Sequence, residues 1–167
     1  MNSFLKQFTQ REAGPLVQFI KYGICGATAV FVLTISFYIL GTVAFPAVTP
    51  KDEAAGFLMW LGLPVTELDD SVRSLNYGIC QAIGFMIANF IAYILNVMWV
   101  FKPGRHSRFV EILMFYAVSG LSMAIGSGFA ILLINRYSWS SSTAFIANII
   151  ASTLINYAMR KFVIFKG

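Results

Sequence analysis

Four apolar runs, at about residues 19–45, 77–101, 109–134 and 143–162, limit the folds open to this chain. Each is near or above the roughly 20 residues that about 30 Å of hydrocarbon demands of a helix. A backbone in hydrocarbon must satisfy its amides internally, and separated runs of this length do so as helices rather than as strands of a barrel. With 58% hydrophobic and 11% charged residues and a mean hydropathy of +0.75, the chain falls outside the soluble globular range. The expected fold is all-α: a polytopic membrane protein whose four transmembrane helices form one domain over residues 1–167.

The chain also repeats itself. Phe19–Thr28 (FIKYGICGAT) opens one run and Leu113–Ser122 (LMFYAVSGLS) opens another, with Tyr22/Tyr116, Gly26/Gly120 and Thr28/Ser122 in register. The closing segments Ile94–Lys102 (ILNVMWVFK) and Ala158–Lys166 (AMRKFVIFK) match as well, aligning Phe101 with Phe165, Lys102 with Lys166 and, just upstream, Tyr93 with Tyr157. Two repeated helix pairs are the simplest account, and repeats of this kind commonly frame a pathway between two halves.

Basic residues set the expected orientation. Lys6, Arg11, Lys21, Lys102, Arg105, Arg108, Arg160, Lys161 and Lys166 flank one side, against Lys51, Arg73 and Arg136 on the other. The bias puts both termini in the cytoplasm. The first apolar run is too long for a signal-peptide core and follows a polar segment, so the first helix is expected to be retained. The net charge of +5 reflects topology and anionic lipid headgroups, not nucleic acid, because no base-stacking basic surface accompanies it.

The halves differ in their outer connections, about thirty residues (46–76) against about eight (135–142). In the longer one, Thr49-Pro50-Lys51-Asp52 reads as a helix start and Pro64 as its end, with AAGFLMWLGL between them forming an interfacial helix that holds Trp60 at headgroup depth. Cys25 and Cys80 read as small packing residues, and His106 lacks companions for a metal site. Gly84, Ala88 and Ala92, and likewise Gly120, Ala124 and Gly128, form small-residue stripes that suit close helix contacts.

Polar residues within the spans carry the functional signal. Asn148, Ser152, Asn156 and Arg160 follow one another at four-residue spacing on the last helix, a shallow spiral ending in a cation. Asn89 and Asn96 share a face of the second, with Tyr93 between them. Amides at membrane depth must find partners, either across helices or in a wet cavity. Arg160, Lys161 and Lys21 cluster at the cytoplasmic rim, where they suit a phosphate or pyrophosphate headgroup. No Asp or Glu falls in the middle of a span, Glu111 being the membrane-proximal acid, which disfavours a proton-coupled exporter of the small-multidrug type. Neither a nucleophile with its base nor a metal-ligand or phosphate-loop motif is found, so no enzyme, cofactor or metal is expected.

The entry FIKYGICGAT, the second-helix ending NFIAYILNVMWVF and the last-helix ending NYAMRKFVIF resemble the GtrA-like family of small membrane proteins, over about residues 19–165. The chain departs from the usual pattern at Asn96-Val97-Met98, where a basic pair commonly follows the Asn. The resemblance implies translocation of a polyprenyl-phosphate-linked sugar across the cytoplasmic membrane for cell-surface polysaccharide or glycolipid assembly. Arg160, Lys161 and Lys21 would then contact phosphate, while Asn89, Tyr93, Asn96, Asn148, Ser152 and Asn156 line the route. A partner glycosyltransferase and a homo-oligomer are the expected associations. The rival reading is a non-transporting scaffold that positions such a transferase.

Overall fold

The structure is a computed structural model. It describes the backbone of residues 3–11, 13–102, 106–137 and 141–165, without the side chains of residues 3–5, 70, 74, 127, 130, 131, 134, 135, 141–146 and 148. Helices follow in the order α1 (Ser3–Thr9), α2 (Pro15–Ile39), α3 (Ala55–Trp60), α4 (Asp70–Leu95), α5 (Arg108–Tyr137) and α6 (Ser141–Met159), with no strand among the described residues. Three of them, with the turns that extend α2 and α4, supply stretches long and apolar enough to cross a membrane: Pro15–Ala44, Ser71–Val100 and Arg108–Gly126. The fourth expected span falls on α6, part of which lies outside the described side chains. Exposed Val30, Phe31, Met86, Leu113 and Phe162 give the long helices apolar outer faces that suit lipid.

Local chemistry accounts for the helix ends. Pro15 opens α2 at the first helical position, where its missing N–H costs nothing. Asp69 precedes α4 and accepts from the Ser71 amide at 3.1 Å, and Glu111 places an acid in the first turn of α5. Three helices close in a π-helical turn: Leu40–Ala44 after α2, Asn96–Val100 after α4 and Arg160–Ile164 after α6. Each turn is closed by a phenylalanine amide bonded five residues back, Phe45 to Leu40 at 2.8 Å, Phe101 to Asn96 at 2.8 Å and Phe165 to Arg160 at 2.9 Å. The second and third occupy the same register of the sequence repeat, so the duplication extends to a backbone irregularity of a kind often found at functional sites.

The chain divides into two compact units, Cys25–Ala92 and Met1–Ile24 with Tyr93–Gly167. In the first, the turn after α2 folds back on α4. The Gly41 carbonyl accepts from the Ala47 amide at 2.8 Å, Asn76 Nδ2 donates to the Pro46 carbonyl at 2.7 Å, and Cys80 Sγ donates to the Phe45 carbonyl at 3.5 Å. Cys25 and Cys80 are both buried and are not joined in a disulfide. The helix expected in the longer connection is shorter than the sequence suggested. Asp52 accepts from both the amide and hydroxyl of Thr49, at 2.7 and 2.9 Å, and holds the Thr49-Pro50-Lys51-Asp52 segment as a turn. Helix α3 starts only at Ala55 and ends at Trp60, with Gly62 rather than Pro64 closing it. The positive φ of Gly62 (76°) lets its amide reach the Met59 carbonyl and the Leu63 amide reach that of Leu58, a Schellman closure. Trp60 is 77% exposed and stacks on Phe57.

Among the described residues, only one of the two small-residue stripes packs against a neighbouring helix. Gly84, Ala88 and Ala92 are buried, and a Cβ on Gly84 would lie 3.0 Å from Leu33 Cδ1 and 3.5 Å from the Leu33 carbonyl. Ala124 and Gly128 are exposed, and among the described residues a Cβ at Gly120 or Gly128 would meet nothing within 4 Å, because α5 buries the face that carries Phe115, Val118 and Ser122 instead. Gly84→Leu is therefore expected to destabilise the protein by about 1–3 kcal/mol through overpacking, while Gly120→Leu is neutral. Thermal unfolding of the two variants in detergent checks the contrast.

Candidate functional site

The second unit brings residues from α2, α4, α5 and α6 together around an aromatic interior. Phe101 and Phe165, which end the two equivalent π-helical turns, stack with centroids 5.1 Å apart and planes 12° apart. Around this pair the contacts come in matched sets. Tyr22 packs on Tyr157 (5.3 Å) and Phe101 (6.3 Å), and Phe115 packs on Tyr93 (5.7 Å) and Phe165 (6.4 Å). The polar contacts follow the same pairing, since Tyr157 Oη donates to Gln18 Oε1 at 3.2 Å and Tyr93 Oη donates to Glu111 Oε2 at 3.0 Å. The interior thus has an approximate two-fold relation between the helix pairs. Its register differs by one residue from the sequence match, with Phe115 rather than Tyr116 taking the place of Tyr22, and Glu111 taking the place of Gln18.

The cations break the symmetry. Arg160, 6% exposed, corresponds to Asn96 in the other pair, and its guanidinium carbon sits 3.6 Å from the Phe115 ring centroid and 5.4 Å from that of Tyr22. Its Nη2 donates to Ser119 Oγ at 2.8 Å, and Ser119 Oγ donates onward to the Phe115 carbonyl at 2.9 Å. Lys21 is 0% exposed, with Nζ donating to the Gln10 carbonyl and lying 5.5 Å from the Trp99 ring. Lys161 is half-buried, 3.4 Å from Tyr157 Oη and near the faces of Tyr157 and Phe162. Two of the three cations expected at an exposed rim are thus enclosed. Aromatic faces and oxygen acceptors offset part of the desolvation cost.

Of the expected polar route, Tyr93, Asn96, Ser152 and Asn156 belong to this unit. Asn96 is buried at the start of its π-helical turn. The Asn156 carbonyl oxygen Oδ1 is buried with no hydrogen-bond partner among the described residues, while Ser152 Oγ donates to the Ile149 carbonyl of its own helix. Asn89 falls in the other unit, where its Nδ2 donates to the Phe85 carbonyl one turn back. Asn148 is helical, but its side chain lies outside the described residues.

Sequence reasoning missed the roles of Phe115, Ser119, Gln18 and Trp99. The pairings of Phe115 and Gln18 were readable by sliding the repeat one residue, since Gln18 then falls on Glu111 and Tyr22 on Phe115. Ser119 gives no such signal, because only folding sets it opposite Arg160.

Long helices with apolar outer faces around a polar and cationic aromatic interior define an all-α polytopic membrane protein. Residues 21–165 match the GtrA/DPMS transmembrane domain family. The chain belongs to that family, which associates it with membrane lipids and with membrane processes that handle polyprenyl-phosphate sugars. No solved structure matches it significantly.

Proposed function

We propose that this protein translocates a polyprenyl-phosphate-linked sugar across the cytoplasmic membrane, from the leaflet where a glycosyltransferase makes it to the one where polysaccharide or glycolipid assembly consumes it. The observation that carries this reading is Arg160, a guanidinium buried at the end of a transmembrane helix on the faces of Phe115 and Tyr22. A charge held there is costly, and such residues characteristically mark a substrate path. Guanidinium and ammonium groups make charge-assisted bonds to phosphate oxygens, so Arg160, with Lys161 and Lys21, supplies the phosphate contacts.

Asn156, with its buried oxygen open to a donor, is suited to a sugar hydroxyl. Ser152, Asn148, Asn96 and Tyr93 continue the polar route within the same unit. The polyprenyl tail stays in lipid throughout, so the charged headgroup never crosses bare hydrocarbon. The reading assigns the chain no catalysis, places both termini in the cytoplasm and sets α3 at the outer membrane surface. It gives the chain a glycosyltransferase as neighbour and a homo-oligomer as working form.

Reconstitution in liposomes with a short-chain polyprenyl-phosphoryl sugar tests it. Sugar accessibility in each leaflet should equilibrate faster than in empty liposomes. No acceleration with several sugars overturns the reading in favour of a scaffold that positions a transferase.

A further inference from the structure

The N-terminal segment lies against the cation that the family resemblance nominates for phosphate. The Phe8 carbonyl accepts from Trp99 Nε1 at 2.6 Å, the Gln10 carbonyl accepts from Lys21 Nζ, and Arg11 Nε donates to the Met98 carbonyl at 3.2 Å. Gln7 Oε1 accepts from the Gly14 amide at 2.8 Å and closes the segment back on the start of α2. Residues 7–11 thus cross the ends of α2 and α4, and Lys21 beneath them is fully buried. The family match begins at residue 21, so this segment lies outside the matched residues.

We propose that α1 with Gln10 and Arg11 is an autoinhibitory strap, whose main-chain carbonyl occupies the Lys21 ammonium and must lift before a phosphate group can reach it. The inference rests on the reading of Lys21 as a phosphate contact. A carbonyl oxygen and a phosphate oxygen are alternative acceptors for the same ammonium, and the ionised one makes the stronger bond. The strap is also cheap to lift. Lys6, Thr9, Gln10 and Arg11 are exposed, and the bonds that tie residues 8–11 to Lys21, Met98 and Trp99 are polar, the profile of a segment that opens locally without global unfolding.

The test uses the full chain in nanodiscs and a water-soluble amine-acylating reagent, with modification of Lys21 followed by mass spectrometry and the exposed Lys51 as internal reference. Trp99→Phe combined with Arg11→Ala removes two strap bonds while keeping a ring beside Lys21. Lys21 acylation is expected to rise at least tenfold relative to Lys51, with helix content and unfolding temperature unchanged. Trp99→Phe alone, the more conservative change, is expected to give an intermediate rise. Equal acylation in wild type and variants overturns the strap, whatever the protein transports.

A second arm adds a short-chain isoprenyl phosphate or inorganic phosphate. Either should protect Lys21 more strongly in the double variant than in wild type, and protection by the isoprenyl compound alone identifies a lipid headgroup as the source. If acylation rises but neither compound protects Lys21, the segment is a cover without a phosphate competitor. That outcome overturns the competition and removes Lys21 from the phosphate contacts.

Discussion

Arg160→Ala is expected to slow translocation of the lipid-linked sugar in liposomes by at least tenfold, about 1.4 kcal/mol in the barrier. The substitution removes the charge and also vacates the space between Phe115 and Tyr22, so part of any loss could come from a weakened fold. Arg160→Met separates the two effects. It fills the volume with an apolar, adaptable side chain and spares the protein the desolvation of a guanidinium, so its unfolding temperature should stay near that of wild type while transport falls as far as in the alanine variant. Ser119 keeps its bond to the Phe115 carbonyl in both variants and is not left unsatisfied. Arg160→Lys, which keeps the charge but loses the planar stack, should fall between them. Wild-type transport in Arg160→Met would remove Arg160 from the substrate path and leave it a packing role.

Glu111→Gln should be tolerated and Glu111→Leu should not, for a reason the duplication supplies. Glu111 is fully buried, accepts from Tyr93 Oη and pairs with Arg108 Nη1 at 3.0 Å. At the equivalent place in the other helix pair, Gln18 receives the Tyr157 hydroxyl. Glutamine at position 111 therefore reproduces an arrangement the protein already uses, and its cost should be below about 1 kcal/mol, since the partly exposed Arg108 returns to water. Leucine leaves the buried Tyr93 hydroxyl without its acceptor, at a cost of about 1–3 kcal/mol. Adding Tyr93→Phe to Glu111→Leu should recover much of that loss, because both polar groups are then gone. Denaturation of wild type, Glu111→Leu, Tyr93→Phe and the double variant in a double-mutant cycle measures it, with Glu111→Gln alongside. A glutamine variant as unstable as the leucine one would mean that the ion pair, not the tyrosine bond, holds this end of α5.

The membrane class and the helix pairs were legible because they depend on properties local to the chain. Whether a run of residues can cross hydrocarbon is set by its length and apolarity, so α2, α4 and α5 stood out without any knowledge of their neighbours. The repeat was visible for the same reason, and its closing register of Phe101 with Phe165 reappears as two π-helical turns ending in stacked rings. The packing of Gly84 was readable as well, since spacing along a helix determines which residues share a face.

Spacing does not say whether a shared face meets another helix. The stripe of Gly120, Ala124 and Gly128 looked equivalent and turned outward. The opening register of the repeat was off by one because Tyr22 and Tyr116 are alike in chemistry, whereas Tyr22 and Phe115 are alike in position.

What the amino-acid sequence by itself determined is the solvent, the all-α fold, the duplication and which polar groups a membrane would have to accommodate. The tertiary structure alone decided where the charges reside. Arg160 and Lys21 belong by hydropathy to a cationic rim, but both are enclosed, one on rings from α2 and α5 and the other under a carbonyl from the N-terminal segment. Enclosure of a cation depends on several side chains far apart in the sequence arriving at one place, and hydropathy, which weighs each residue alone, carries no record of that meeting.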